Sequence, residues 1–412
     1  MSRNRFHGFR GLVAALAVLL GCLSLLQPAF ASQFKRSSTD ITIELAFTPG
    51  TAPQSWVLTD FAKAQLVAAR QSVARAQQIH LTGYSAPVSG NSGNALALKR
   101  TAAVATYLAR FAPTATVQQV SGGFASGSAS SLDGNRVTVR LTPTPGLLWV
   151  QNFNEPRGSV VDGSAFWGLH GNGSSELGLP TYGTGEIEFN DPNFATTDGA
   201  GNLRIHTVRD ANLWRSSRIW TQGRVNFQYG RLEIRAKLPQ GAYNWPAIWM
   251  LGSDYQPPNG SFGTVQWPAS GELDIMEGLG ANSVAQGTLH GSAPGGGDWL
   301  GGAGVTAVAP LANISAGYHV WSIDWLPNQI SFAMDGVTYA TDTFNGQVVT
   351  QTLANNQKRV IDTAGNWPFN QPFFLIFNNA VWPGSNQANG TNSDFLIDWV
   401  KCSTLNGYGR VN

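Results

Sequence analysis

The 412-residue sequence is poor in charge and nearly free of cysteine. Asp, Glu, Lys and Arg together make up 12% of it and only two Cys occur, against about 25% charged residues in an average soluble domain. So little charge leaves no basic stripe for nucleic acid or for an anionic membrane. Cys22 falls in a leader-like segment, which leaves Cys402 without a partner; a disulfide framework and a zinc site are both excluded. Beyond the leader, no run approaches the roughly 20 apolar residues of a membrane span, so no transmembrane segment is expected in the mature chain.

The leader itself has three parts: basic Arg3, Arg5 and Arg10, apolar Leu12 to Leu26, and the small-residue site Ala29-Phe30-Ala31. Residues 1–31 therefore read as a signal peptide, and the expected location is secreted or periplasmic. Leu19-Leu20-Gly21-Cys22 also fits a lipoprotein site, although the apolar run continues past the Cys. Removing the three Arg from the 26 basic residues leaves 23 against 24 acidic ones. The working protein is close to neutral.

What is abundant is glycine (47) and tryptophan (14). Thirteen Trp lie beyond Thr142-Pro143-Thr144-Pro145-Gly146, a turn-rich stretch read as a linker over 143–147. Residues 32–142 alternate strand-like and helix-like patterns. Ile41 to Phe47, Ile79 to Tyr84, Thr116 to Val120 and Arg136 to Leu141 read as strands. Leu58, Ala62, Leu66, Ala69, Val73 and Ala76 recur at helical spacing, as does the Ala- and Leu-rich stretch from Asn94 to Phe111. The expectation is a small α+β domain. Residues 148–403 read instead as short strands between Gly and Asn turns. Leu232, Ile234, Ala236 and Leu238 alternate with Glu233, Arg235 and Lys237, a period of two. The expected fold is an all-β jelly-roll sandwich.

The sharpest chemical signal is Gly271-Glu272-Leu273-Asp274-Ile275-Met276-Glu277. In a strand, Glu272 and Asp274 share a face. Glu277 joins them only if one extra residue is accommodated as a β-bulge. Three like charges on one face repel; a glycosidase gains from that, because it needs two carboxyl groups in different protonation states. An acidic exposed strand is the bland alternative.

This stretch and Asn244-Trp245-Pro246-Ala247-Ile248-Trp249-Met250-Leu251 resemble glycoside hydrolase family 16, especially its laminarinase-like members. Gly185-Glu186-Ile187, Tyr229 to Arg235, Gly287-Thr288-Leu289-His290-Gly291 and Phe395 to Val400 extend the resemblance over about 255 residues. It implies a retaining endo-glycosidase acting on β-1,3-glucan, with Glu272 as nucleophile, Glu277 as acid/base and Asp274 between them. Mixed-linkage β-1,3-1,4-glucan, agar and glycan binding without turnover are the alternatives. It further implies sugar contacts by Glu233, Arg235, Trp245, Trp249, Trp267, His290 and Asn378, with Trp321, Trp325 and Trp399 in the core and Trp382 closing one end of the cleft. No cofactor is required for catalysis. A structural Ca²⁺ is implied near Asn152 and Asp398, where Asn152 replaces the carboxylate seen in many relatives.

In the N-terminal part, Gly83-Tyr84-Ser85, Leu96, Arg100, Val104 and Asn135-Arg136-Val137 resemble a worn OmpA-like domain. That resemblance implies peptidoglycan contact through Arg100. Ala86, however, stands where that family places the Asp that meets the ligand ammonium. The alternative is a spacer domain with Arg100 solvated.

Overall fold

The computed structural model describes residues 40–48, 53–86, 93–124, 134–260, 263–279, 284–302, 304–309 and 314–412. The signal-peptide and lipoprotein readings lie outside them. Asp40–Asn412 forms one compact unit.

Its first part is a four-stranded sheet ordered Ile41–Ala46, Arg136–Pro143, Ala76–Ser85, Thr116–Phe124. The last two strands run parallel, and the helix Gly93–Leu108 lies between them in sequence. The helix Asp60–Ala68 starts where Thr59 accepts a hydrogen bond from the Ala62 N–H at 3.1 Å, an N-cap that satisfies one of the orphan amides. Ala62, Leu66, Val73, Ile79, Leu81, Val104, Leu108, Val137 and Val139 fill a core of their own.

Arg100 corrects both readings of this region. It is fully buried and donates to the carbonyls of Ser55 (2.7 Å), Tyr84 (2.8 Å) and Thr48 (3.1 Å) and to Asn135 Oδ1 (3.0 Å). Burial pulls its pKa down to about 10. A guanidinium spent on stitching chain segments together is neither solvated nor free to hold a wall carboxylate.

The remainder is a sandwich of a twelve-stranded and a nine-stranded sheet among the described residues. Period-two alternation supplies the core between them. Leu232, Ile234 and Ala236 come from one sheet; Ile248, Met250, Leu273, Leu289 and Phe377 come from the other. Each such large side chain contributes about 1.5–3 kcal/mol on burial. Trp321 and Trp325 are buried in this core as the sequence implies. Trp399 is not. The register slips between the pairs Arg235↔Trp399 and Ala236↔Ile397, so Asp398 and Trp399 both leave the core, and Lys401 Nζ sits 4.1 Å above the Trp399 ring.

A second slip positions the site. Along Glu272–Leu279, Asp274 pairs with Trp249 and Met276 with Ile248, leaving Ile275 unopposed. Ile275 and Met276 are consecutive, yet both are buried in the intersheet core. The side-chain phase flips there, and Glu277 returns to the face of Glu272 and Asp274. On the other flank Asp274 pairs with Thr288 and Glu277 with Gln286, so two residues face Gly287 alone. A Cβ on Gly287 would lie 2.5 Å from the Phe332 ring. Gly287→Ala is therefore expected to overpack the core beneath the bulge and to cost about 1–3 kcal/mol, read as a lower midpoint in denaturant unfolding.

Candidate active site

The outer face of the nine-stranded sheet carries a cleft of about 800 Å³. Its lining comes from adjacent strands in turn: Thr306, then Gln286, Thr288 and His290, then the acids, then Trp245 and Trp249, then Asn378, then Arg218. The cleft thus runs across the strands, and the bulged strand lies on its floor. Gly271, with φ +78, turns the chain into that strand; a side chain there would be strained and would strike Pro368 at 2.8 Å.

Each outer acid is held by an indole. Trp267 Nε1 donates to Glu272 Oε2 at 2.7 Å, and Trp245 Nε1 donates to Glu277 Oε1 at 2.9 Å. Gln286 Nε2 donates to the second oxygen of Glu277 at 3.1 Å. Asp274, between them, is buried, with His290 Nε2 3.2 Å from its Oδ2. His290 Nδ1 lies 2.6 Å from Asp298 Oδ2.

Burial, then the charge of Asp274, raises the pKa of Glu272 to about 8, with His290 opposing. Burial and Asp274 likewise raise that of Glu277. For His290, burial favours the neutral ring, but the carboxylates of Asp274 and Asp298 outweigh it and push the pKa up to about 12. Both outer carboxyls thus hold a proton more tightly than a free carboxylic acid does. Donor atoms of Glu272, Asp274 and His290 lie within 4.8 Å of one another.

The cleft gathers Glu272, Asp274, Glu277, Trp245, Trp249, Trp267, His290 and Asn378. Trp249 Nε1 donates to Asn378 Oδ1 at 2.7 Å, so that pair holds itself in place. Trp267 is 44% exposed and offers ring surface to a ligand. Trp245 offers one face only, because Trp382 stacks on it with centroids 4.0 Å apart and planes 5° apart. Trp382 therefore backs Trp245 and is not itself among the residues that line the cleft.

Glu233 and Arg235 are corrected. Their strand, Gly230–Lys237, belongs to the twelve-stranded sheet, and its alternate residues fill the core. Both side chains therefore point out on the far side of the sandwich, where Arg235 pairs with Asp398 and lies 4.3 Å over Tyr318. The calcium reading falls with them. Asp398 is neutralised by Arg235, and Asn152 turns its Nδ2 to the Phe111 carbonyl at 3.2 Å.

Three residues of the site were missed. Gln286 was accessible from parity, since Gln286, Thr288 and His290 alternate on one strand. Arg218 sits in an otherwise apolar strand, Arg218–Trp220, and is buried against Glu186 at 2.7 Å and 4.0 Å over Tyr182. Its surroundings, Arg215-Ser216-Ser217 before and Thr221-Gln222 after, carried no signal. Asp298 follows three glycines and carried none.

A sandwich with paired carboxylates in an indole-walled cleft has the layout of a carbohydrate-cleaving enzyme. A family model described as glycosyl hydrolases family 16 matches residues 185–401. The chain is 34% identical to the beta-glucanase of Rhodothermus marinus over 212 residues, 49% of this chain and 68% of that protein. It is 32% identical to a glucan endo-1,3-beta-glucosidase of Cryptopygus antarcticus over 281 residues, 63% of this chain and 92% of that protein. The solved endo-beta-1,3-glucanase of Pyrococcus furiosus superposes with a TM-score of 0.51 at 32% identity, over 63% of this chain and 94% of that one. The chain belongs to glycosyl hydrolases family 16 and is a glycoside hydrolase.

The raised pKa of Glu272 carries a stability cost with a definite sign. The folded state holds that proton more tightly than the unfolded chain, so its stabilisation is full below the ordinary pKa of 4.5 and is lost as pH rises toward about 8. Glu272→Gln, which cannot ionise, is expected to match the wild-type melting temperature near pH 4 and to exceed it increasingly up to pH 8. Calorimetric scans across that window check it.

Proposed function

We propose that the protein is a retaining endo-β-1,3-glucanase, with Glu272 as nucleophile and Glu277 as acid and then base. The observation that carries the reading is the bulge at Ile275, which sets Glu272, Asp274 and Glu277 side by side on the cleft floor. The similarity to a beta-glucanase and to endo-1,3-beta-glucanases favours β-1,3-glucan over agar, and the near-neutral composition is consistent with an uncharged polymer.

Retaining glycosidases hold their two carboxyl groups about 5–5.5 Å apart. Glu272 attacks the anomeric carbon as the glycosidic bond breaks. The departing oxygen takes the proton of Glu277, leaving a glycosyl ester on Glu272. The ester has no charge, so Glu277 loses one anionic neighbour and its pKa falls; it then removes a proton from water, whose oxygen displaces Glu272. Asp274, held beside His290, stands between the two. Trp245 and Gln286 hold Glu277 at its oxygens through both steps. Indole faces bury the C–H surface of a sugar and leave its hydroxyls free to hydrogen-bond; Trp267 and Trp249 are placed for that. We further infer from the leader pattern that this chemistry takes place outside the cytoplasm.

Reducing ends released from laminarin, lichenan and agarose test the substrate. Release from laminarin is expected to be fastest, and activity on agarose alone overturns the reading. Glu272→Gln should lower kcat on laminarin by about 10³-fold or more. Glu277→Gln should lose a similar factor on laminarin. It should lose far less in the first step on an aryl glycoside whose phenol leaves without protonation, as read by the burst of phenol.

A further inference from the structure

Asp298 has no role in the mechanism so far, yet few side chains near the cleft are placed so firmly. It follows Gly295-Gly296-Gly297 in a turn closed by Ala293 N–H to Gly297 O at 2.9 Å and Trp299 N–H to Gly291 O at 3.0 Å. Trp299 is fully buried, and its Nε1 donates to Ser292 O at 2.8 Å. Asp298 Oδ1 accepts the Gly291 N–H at 3.1 Å, which aims Oδ2 at His290 Nδ1, 2.6 Å away. The far nitrogen of the same ring lies 3.2 Å from Asp274 Oδ2, a buried oxygen to which no other described residue donates. On the third side Gly304 presses against the ring, where a Cβ would lie 2.9 Å from Nδ1. The ring is thus flanked by a carboxylate at each nitrogen.

A neutral imidazole carries one N–H. Set between two carboxylates, it would direct a lone pair at one of them. Two protons remove that conflict. We propose that Asp298 is a positioning residue that holds His290 as a standing imidazolium, whose charge offsets Asp274 and lets Glu272 ionise beside it. The titratable groups facing His290 are Glu272 and Asp274 on the bulged strand and Asp298 on the turn; Glu277 lies further along that strand, and Tyr255 faces Glu272 from the other side. The direction of the His290 pKa, raised by these same carboxylates against burial, agrees. The inference rests on Glu272 being the nucleophile only for its kinetic consequence, not for the state of the ring.

The test uses the full chain labelled with ¹⁵N-histidine, with His290→Asn to assign the signal. Wild-type His290 is expected to keep both nitrogens protonated from about pH 5 to about pH 9, whereas an ordinary His titrates near 6.5. In Asp298→Asn the His290 signal should titrate inside that window. The acid limb of the kcat/KM–pH profile should then move up by about one pH unit, a tenfold loss of proton release from the nucleophile. Asp298→Glu should move it back toward wild type. A wild-type His290 that titrates within the window overturns the proposal. So does an Asp298→Asn profile lowered equally at every pH, which is what a merely structural role gives. The spectra need no substrate, so failure of the β-1,3-glucanase reading is seen separately, as absence of turnover on laminarin by the wild type.

Discussion

One surplus residue in one strand organises the site. Ile275 has no partner on the Asn244–Gly252 strand, and its accommodation lets two adjacent apolar side chains enter the core together. The intersheet core holds them there, with Gly287 leaving room for Phe332 underneath. Glu277 is thereby turned toward Glu272 and Asp274. A regular strand would send it into the core, where an unpaired carboxylate costs several kcal/mol. Packing of Ile275 and Met276 on one side thus enforces proximity of like charges on the other.

That proximity is costly, and the neighbourhood is built to hold it. Two indoles and one amide donate to the outer carboxylates, and a histidine bears on the middle one. Indole N–H groups orient a carboxylate without adding charge. These donors favour the ionised acids, but burial and Asp274 outweigh them, and the proton affinities stay raised. Strain of this kind is stored where function needs it and is offset by the rest of the fold. The large sandwich core supplies that support, and the cleft sits on the outer face of the nine-stranded sheet.

Much of this was legible in the sequence, because parity along a strand is local. The acidic face, the need for a bulge and the sandwich all follow from periods of two, and His290 and Asn378 were reached through the family resemblance. Parity, however, says only that a residue faces away from the core; it does not say which sheet carries it. Glu233 and Arg235 do face outward, but from the sheet opposite the cleft. A second bulge, next to Arg235, inverted the phase of Trp399 and was invisible without the partner strand. Arg100 was misread for a related reason: its partners are backbone carbonyls that come together only in the fold. Asp298 lies in a glycine-rich turn where no periodicity exists to read.

The central claim is that the bulged strand presents a nucleophile to the sugar. It is tested most directly by trapping the intermediate with a fluorinated β-glucosyl donor whose second step is slow, followed by proteolysis and mass spectrometry. The account predicts one added glycosyl unit, on Glu272. A glycosyl unit on any other residue, or first-formed product of inverted anomeric configuration, would contradict it.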